Sequence, residues 1–177
     1  AKSVNFGIMY GQSSFGLANQ TGMSQADAET FIRNYFATYP RVKDYLDEIK
    51  AQASSKGYVE TLLGRRRYFP ELVTGTRVNM NVRQAAERAA INMPIQGTAA
   101  DILKIAMIRL HRTLEEKGLS SRAILQVHDE LVLEVPDSEL SVVAPLSKKI
   151  MEEAYALDAA LKVDLKVGQN WLDMEPY

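Results

Sequence analysis

The most chemically informative stretch of the sequence is His128-Asp129-Glu130, which lies between two apolar runs rich in β-branched residues. The runs predict a β-hairpin whose turn consists of ionisable residues. Core packing does not explain two adjacent carboxylates at a hairpin tip, and the Asn-Gly or Asp-Gly pair usual in tight hairpins is absent. Hard oxygen ligands at an exposed point suit Mg²⁺, which binds through one or two carboxylates plus substrate phosphates. The alternative is a solvated acidic turn.

A second group of polar, forked side chains surrounds Pro94. Arg88 and Asn92 are four residues apart, and Gln96 follows them after another four. Pro94 predicts the end of one helix and Thr98 the start of another, which leaves Gln96 in a short exposed joint. Arg88, Asn92 and Gln96 are then expected to face one region. Helix capping alone accounts for Thr98 but not for Arg88 together with Asn92.

The N-terminal stretch places one cation and two aromatic rings at helical spacing. Lys2, Phe6 and Tyr10 follow one another at intervals of four residues, so a helix would carry them on one face. Asn5 and Gly7 are poor helix formers, and their propensities argue against a helix in this segment. Spacing and propensity therefore disagree here.

The elements that must position these groups are mostly helical. Ser24 predicts the start of a helix that Pro40 ends, and Gly57 predicts the end of a second helix. An alternating pattern predicts a half-buried strand near the C-terminus. The fold class is therefore α+β, with helices packed on a small antiparallel sheet. Further helices are predicted over residues 77–92, 98–117 and 138–155, strands over residues 58–63 and 161–167, and a basic turn over residues 64–67.

Composition excludes several classes of protein. The 177-residue chain has no Cys and two His, which excludes thiolate metal sites and argues against a multi-His site. No apolar run is long enough to span a bilayer, so an intracellular protein is expected. Residues 1–114 hold 15 Lys and Arg against 9 Asp and Glu, and residues 115–177 hold 6 against 13. The basic half suits a polyanion or, alternatively, is a solvated helix face with a basic turn.

Three motifs, in order, resemble family A DNA polymerases, the bacterial DNA polymerase I type. The stretches YVETLLGRRRY and AAERAAINMP resemble the same family, and the likeness covers essentially the whole chain. It implies a helical fingers subdomain over about residues 1–90 and the C-terminal part of the palm, with a small antiparallel sheet, over residues 91–177. The three motifs are K-x-x-x-F-G-x-x-Y-G from Lys2 to Gly11, M-P-x-Q-G-T-A-A-D from Met93 to Asp101, and Q-V-H-D-E-L from Gln126 to Leu131.

The resemblance implies that the first motif is a fingers helix that binds the incoming deoxynucleoside triphosphate, in spite of Asn5. Lys2 would hold the triphosphate and neutralise charge on the leaving pyrophosphate, which makes it a catalytic residue. Phe6 would pack on the nucleotide sugar and base, and a Phe at this position implies discrimination against nucleotides that lack the 3′-hydroxyl. Tyr10 would stack near the templating base.

The resemblance also assigns the other two motifs. Asp129 would be one of two catalytic metal-binding aspartates, with Glu130 as an auxiliary carboxylate and two Mg²⁺ ions in the intact enzyme. His128 would contact the primer terminus. Contacts to the backbone phosphates of the primer-template DNA would come from Arg67. Contacts to its minor-groove side, where correct base pairs present nearly identical acceptors, would come from Arg88, Asn92 and Gln96.

The implied function is template-directed DNA synthesis by deoxynucleotidyl transfer to a primer 3′-hydroxyl. The family's other catalytic aspartate lies in a D-Y-S-x-I-E-L-R-type motif that this sequence lacks, and neither a thumb nor an exonuclease domain is found. We therefore expect a fragment, or one piece of a split enzyme, that is inactive without the missing N-terminal part carrying the thumb and the rest of the palm. No membrane partner is expected.

Two other functions remain open from the sequence. A single-subunit RNA polymerase shares the general layout, although Glu130 after His-Asp and the Phe6-Gly7 pair favour the DNA enzyme. A non-catalytic nucleic-acid-binding module would keep the basic surface without the chemistry. The expected location of the protein is the cytoplasm, in association with the bacterial nucleoid, or an organelle of bacterial descent.

Overall fold

The computed structural model describes residues 2–177, which belong to two compact units that meet in sequence at Thr98 and Ala99. Helix α5 (Met80–Glu116) begins in unit 1 and ends in unit 2. Unit 1 also contains α1 (Lys2–Met9), α2 (Ser14–Thr21), α3 (Gln25–Thr38), α4 (Pro40–Lys56), β1 (Tyr58–Glu60), β2 (Arg66–Tyr68) and a short 3₁₀ helix (Pro70–Leu72). Unit 2 also contains β3 (Arg122–Val127), β4 (Glu130–Glu134), α6 (Leu140–Glu152), β5 (Lys166–Val167) and β6 (Glu175–Pro176).

The predicted α+β class is confirmed, but the strands do not join into one sheet. In the described residues they form three separate two-stranded antiparallel pairs, β1 with β2, β3 with β4 and β5 with β6. The alternation over residues 161–167 predicts the exposed positions correctly, since Lys162, Asp164 and Lys166 are exposed. Only the last two residues of that run pair as a strand. None of the helices described is apolar over a length that would cross a membrane.

Local chemistry fixes the helix ends of unit 1 as predicted. The Ser24 hydroxyl accepts a hydrogen bond from the Asp27 N–H at 3.1 Å and so caps α3. Pro40 occupies the first position of α4, where its missing N–H costs nothing. Gly57 ends α4 with a φ of 74°, and its N–H donates to the carbonyl of Ala53.

The two buried clusters of unit 1 hold these helices together. In the larger one, α4, β1 and the first half of α5 enclose the fully buried ring of Phe69. The smaller one joins α1, α2 and α3 through Ile8, Leu17 and Ala28, each almost wholly inaccessible to solvent.

The prediction that Pro94 ends one helix and Thr98 starts another is wrong, because α5 runs without a break through Pro94. The Thr98 hydroxyl does not cap a helix but accepts a hydrogen bond at 3.0 Å from the Leu62 N–H, beyond β1. Gly97 does not belong to a joint either. A Cβ on Gly97 would lie 2.7 Å from Thr61 Cγ2, so the glycine permits close packing against this hairpin.

The strand predicted over residues 58–63 is also shorter, because β1 ends at Glu60. The predicted basic turn over residues 64–67 is only partly a turn. Gly64 adopts a φ of 82°, while Arg66 and Arg67 already belong to β2 and pair with Glu60 and Val59. The hairpin therefore presents two of its three arginines from a strand.

In unit 2 the predicted hairpin is confirmed, and it packs on the second half of α5. Strands β3 and β4 are antiparallel, with an irregularity between Ala123 and Leu125. Leu131 and Leu133 of β4 pack against the buried Leu110 and Leu114 of α5, together with the buried Val143 of α6. The buried apolar face of this part of α5 is thus covered by both a strand and a helix.

The close approach at Gly97 leads to a test of the continuous helix. We expect Gly97→Ala to destabilise the chain by about 1–3 kcal/mol, as overpacking does, because the added Cβ meets Thr61 Cγ2. Thr61→Ser removes that methyl group and keeps the hydroxyl that accepts from the Arg65 N–H. In the Thr61→Ser background, Gly97→Ala is expected to be neutral or stabilising by up to about 1 kcal/mol, the helix-propensity gain of Ala over Gly. Thermal unfolding of the four variants measures this, and equal effects of Gly97→Ala in both backgrounds would contradict it.

Candidate active site

One face of α1 presents the Lys2 cation and the Phe6 ring to solvent, and the partly buried ring of Tyr10 follows directly after the helix. Lys2 Nζ lies 5.8 Å from the centroid of the Phe6 ring. The Phe6 and Tyr10 rings are stacked, with centroids 6.2 Å apart and an interplanar angle of 12°. Phe6 is 41% exposed, so this face is not part of the core. A charged amine beside flat apolar rings is suited to an anionic, ring-containing ligand.

The poor helix formers of α1 are its contact points with neighbouring segments. Asn5 Oδ1 accepts a hydrogen bond from the Tyr35 hydroxyl of α3 at 2.8 Å. Gly7 lies directly under the side chain of Gln12, and a Cβ on Gly7 would lie 1.9 Å from Gln12 Oε1. Gln12 Nε2 in turn donates to Gln20 Oε1 of α2 at 2.9 Å. Tertiary contacts thus select residues that intrinsic propensity disfavours.

Arg88, Asn92 and Gln96 form a polar row along the first half of α5. Because the helix continues through Pro94, their four-residue spacing places them on one face. Arg88 and Gln96 are exposed, and Asn92 is partly buried. The Asn92 Oδ1 atom is buried without a hydrogen-bond partner among the described residues. A buried orphan acceptor is costly, and such atoms are often explained by a ligand or an ion.

This row lies close to the end of α1. Gly11 has a φ of 79°, a conformation that favours glycine. A Cβ on Gly11 would lie 3.2 Å from Ile91 Cδ1 and 3.7 Å from Arg88 Cγ. The segment that directly follows Tyr10 therefore packs beside Arg88, and unit 1 brings the α1 face and the polar row of α5 together.

The arginines of the β1–β2 hairpin are not equivalent. Arg66 is engaged, since its Nε donates to Glu60 Oε1 at 2.6 Å and its guanidinium lies 4.5 Å from the Tyr58 centroid. The hydrogen bond to Glu60 raises the pKa of Arg66 above its usual value. The Arg67 guanidinium lies 5.1 Å from the Phe69 ring and makes no ion pair within the described ranges. Arg67 therefore has its charge available for an external anion.

In unit 2, His128 and Asp129 form the tip of the β3–β4 hairpin, and Glu130 begins β4. His128 has a φ of 53°, in the left-handed region that costs a non-glycine residue about 1–2 kcal/mol. Gln126 Nε2 donates to the His128 carbonyl at 2.6 Å and so braces the turn. Strain of this kind, held by a side-chain bond, is typical of functional positions.

The carboxylates at this tip are ligands of the type that a hard divalent cation prefers, but there are too few of them to complete its coordination. Asp129 and Glu130 are exposed, and neither carboxylate makes a hydrogen bond or ion pair in the part of the chain that is described. Carboxylate oxygens are the ligands that Mg²⁺ prefers. Residues 2–177 nevertheless contain no group of three or more His, Asp or Glu side chains placed to hold a metal. Asp129 and Glu130 can therefore supply part of a coordination sphere.

A carboxylate fixes the base of this hairpin. Glu139, just before α6, accepts hydrogen bonds from the Ser120 N–H at 2.8 Å and the Ser121 N–H at 2.9 Å. The Ser121 hydroxyl donates to the same carboxylate at 2.5 Å. These bonds, that of the Ser121 hydroxyl first, lower the pKa of Glu139 below its ordinary value. The start of β3 is thus tied to the helix that packs beneath the hairpin.

Each predicted site residue now has a place within its own unit. Unit 1 carries Lys2, Phe6, Tyr10, Arg67, Arg88, Asn92 and Gln96, and unit 2 carries His128, Asp129 and Glu130. Sequence reasoning missed Tyr35 and Gln12, which hold the α1 segment. A usable signal was present, since Asn5 and Gly7 are out of place in a free-standing helix and so mark positions where other elements approach.

Comparison with known proteins gives one consistent result. The model of a family described as DNA polymerase family A matches residues 1–173. DNA polymerase I of Geobacillus stearothermophilus is 51% identical over 173 residues, which are 98% of this chain and 19% of that protein. The thermostable DNA polymerase I of Thermus filiformis is 48% identical over 173 residues, 98% of this chain and 20% of that protein.

A solved structure agrees with these relatives. The POL domain of Pol1 from M. smegmatis, in complex with DNA primer-template and dNTP, matches with a TM-score of 0.85 and 46% identity. The match covers 91% of this chain and 28% of that one. The chain thus spans about a fifth of the length of the curated relatives it matches.

The Glu139 contacts predict a specific dependence of stability on pH. Because the pKa of Glu139 is lowered in the folded state, its contribution is fully present above the unfolded value of about 4.3 and is lost as the pH falls through the folded value. Glu139→Gln cannot accept from the Ser121 groups with its amide nitrogen, so we expect lower stability at pH 7 and a shallower loss towards pH 3. Glu153→Gln is the control, because no hydrogen bond of its carboxylate is seen among the described residues. Unfolding curves across this range measure the effect, and a wild-type acid slope in Glu139→Gln would contradict it.

Proposed function

The chain belongs to DNA polymerase family A, and from that membership we propose that it is part of an enzyme that extends a DNA primer on a template. The reaction is the transfer of a deoxynucleotidyl unit from a deoxynucleoside triphosphate to the primer 3′-hydroxyl. The observation that carries the proposal is the solvent-facing side of α1, where Lys2, Phe6 and Tyr10 line up as a cation and two stacked rings.

The α1 face binds the incoming nucleotide. Lys2 pairs with the triphosphate and neutralises charge that develops on the leaving pyrophosphate, as positioned cations do in phosphoryl transfer. Phe6 packs on the sugar and base, and its exposed ring favours nucleotides that carry a 3′-hydroxyl. Tyr10, stacked on Phe6 at the C-terminal end of α1, lies against the templating base. Binding therefore uses electrostatics at one end of the face and stacking at the other.

The polar row of α5 contacts the minor-groove side of the primer-template duplex. Arg88, Asn92 and Gln96 offer donors at regular intervals along an unbroken helix, and minor-groove acceptors are nearly the same for every correct pair. At Asn92 the donor is the amide NH₂ group, since the buried Oδ1 can only accept. Arg67, whose charge is not paired with a carboxylate in the described residues, holds backbone phosphates, a contact that positions DNA without reading its sequence.

The hairpin tip formed by His128, Asp129 and Glu130, here called the HDE tip, is the part of unit 2 that carries the proposed metal chemistry. Family A polymerases generally use divalent metal ions, and here Asp129 and Glu130 would hold Mg²⁺, with two ions in the intact enzyme. Bound Mg²⁺ contributes activation of the primer 3′-hydroxyl and stabilisation of the leaving oxygen. His128, held at a positive φ by the Gln126 bond, contacts the primer terminus.

The chain acts together with the rest of a longer protein. Within the described residues no metal-binding group of three or more side chains exists, so further ligands, and the other catalytic aspartate, come from the remainder of the polymerase that carries the thumb and the rest of the palm. On this basis the 177-residue chain does not extend primers alone. Unit 1 belongs to the fingers subdomain and unit 2 to the palm. The location is the cytoplasm at the bacterial nucleoid, or an organelle of bacterial descent.

Primer extension by the intact protein tests the proposal through two substitutions. We expect Asp129→Asn to abolish extension without weakening primer-template binding, because it removes a charged metal ligand at an exposed tip. Lys2→Ala is expected to lower kcat by roughly 10²–10³-fold, the usual loss when one stabilising group for developing charge is removed. Asp137→Asn and Lys50→Ala, which change exposed residues elsewhere, are controls and are expected to leave extension unchanged.

The same assays separate the rival functions. A non-catalytic nucleic-acid-binding module predicts DNA binding without any primer extension by the wild-type protein. A single-subunit RNA polymerase predicts incorporation of ribonucleotides in preference to deoxynucleotides. Either result would contradict the proposed function.

A further inference from the structure

One hydrogen bond joins the nucleotide-facing helix to a helix thirty residues further along the chain. The Tyr35 hydroxyl of α3 donates to Asn5 Oδ1 of α1 at 2.8 Å. We infer that Tyr35 and Asn5 are positioning residues that set the rotation of α1 and thereby the direction of Lys2 and Phe6. The inference rests on the proposed function, because it concerns the binding of the incoming nucleotide.

The geometry of α1 explains why such a restraint is needed. At about 100° per residue, Phe6 and Tyr10 lie about 40° and 80° around the helix from Lys2. Val4 and Ile8, which pack in the α1–α2–α3 cluster, lie about 200° and 240° from Lys2. The helix thus touches its core along one line of apolar side chains. Apolar contact is non-directional, so this line alone leaves α1 free to roll by a small angle.

Asn5 lies where a directional bond opposes that rolling. It is about 60° from Ile8 on one side and about 60° from Lys2 on the other, at the border between the core and the ligand face. A hydrogen bond is sensitive to angle, so the Tyr35–Asn5 bond fixes what the apolar line does not. On the opposite flank Gly7, about 140° around the helix, lies under the side chain of Gln12. The two contacts bracket the ligand face.

Tyr35 is itself held rigidly enough to serve as the reference. Its ring lies edge to face against Phe36, with centroids 5.6 Å apart and an interplanar angle of 82°. It also contacts the Tyr39 ring, at 5.1 Å and 53°, and packs against the cluster of Ile8. Only the hydroxyl reaches α1 by a hydrogen bond. Removing this one oxygen therefore deletes the directional restraint and keeps the packing of the ring.

The experiment uses the intact polymerase and steady-state incorporation of a single deoxynucleotide. We expect Tyr35→Phe to raise KM for the deoxynucleoside triphosphate by about three- to tenfold, the range for one lost hydrogen bond. Primer-template affinity is expected to stay within about twofold of wild type, because substitutions at distant sites do not couple by more than roughly that amount. Asn5→Ala should match Tyr35→Phe, and the double variant should be no worse than either single one. Tyr39→Phe is the matched control, because in residues 2–177 its hydroxyl makes no hydrogen bond, and it should leave KM unchanged.

The outcomes separate the two levels of the argument. If the intact wild-type protein does not extend primers, the proposed function is overturned and this inference with it. An active Tyr35→Phe protein with wild-type KM, whatever its Tm, would overturn the positioning role alone, because a merely structural bond lowers Tm without moving KM. Additive effects of Tyr35→Phe and Asn5→Ala, or an equal KM change in Tyr39→Phe, would also overturn it.

Discussion

The continuity of α5 through Pro94 is the constraint on which the first unit depends. A proline inside a helix removes one backbone hydrogen bond and costs roughly 3 kcal/mol, so a neighbouring structure must hold the helix together at this point. The β1–β2 hairpin provides it. The Leu62 N–H donates to Thr98 Oγ1, and the bare Cα of Gly97 lets Thr61 approach closely. The buried Ile91 and Met93 belong to the same core as β1.

The proposed DNA and nucleotide surfaces follow from that helix. Without a break at Pro94, Arg88, Asn92 and Gln96 share one face of a single helix, whereas with a joint at Gln96 the helical spacing would not fix the direction of its side chain. The segment after Tyr10 packs against this helix at Arg88, which relates the ligand face of α1 to the polar row. In unit 2 the second half of α5 serves as the base on which the HDE hairpin packs. Within unit 1 the first half of α5 thus lies beside proposed site residues, and within unit 2 its second half supports the HDE hairpin.

Local sequence signals predicted those parts of the fold that depend on local chemistry. Ser24 begins a helix and Gly57 ends one, each through a hydrogen bond to a residue within four positions. The two apolar runs on either side of His128-Asp129-Glu130 likewise pair with each other as antiparallel strands. The prediction at Pro94 was wrong because the rule that a proline ends a helix describes a chain without neighbours. Here a distant contact supports the helix, since the Leu62 N–H donates to Thr98 Oγ1, thirty-six residues further along the chain. The run over residues 161–167 shows the same limit, since alternation fixes which side chains are exposed but not where a partner strand lies.

The candidate site divides in the same way. The residue types of the α1 face, the α5 row and the HDE tip were predicted from spacing and from a resemblance to a known family. The residues that hold them were not. Tyr35 has no local signal that relates it to Asn5, because their bond forms only after α1 and α3 pack together. Glu139 likewise reads as an ordinary helix-start carboxylate until the loop of Ser120 and Ser121 is seen to wrap around it.

The most direct test of the central claim is the backbone conformation around Pro94 in solution. Cα chemical shifts report helical or coil conformation residue by residue. Gly118 lies just after the end of α5 and has a φ of 63°, so it provides an internal reference for a true helix terminus. We expect helical shifts without interruption from Asn92 to Asp101, including Ile95, Gln96 and Gly97. Coil values at these three residues, with helical values resuming at Ala99, would show two helices with a joint and would contradict the shared face of Arg88, Asn92 and Gln96.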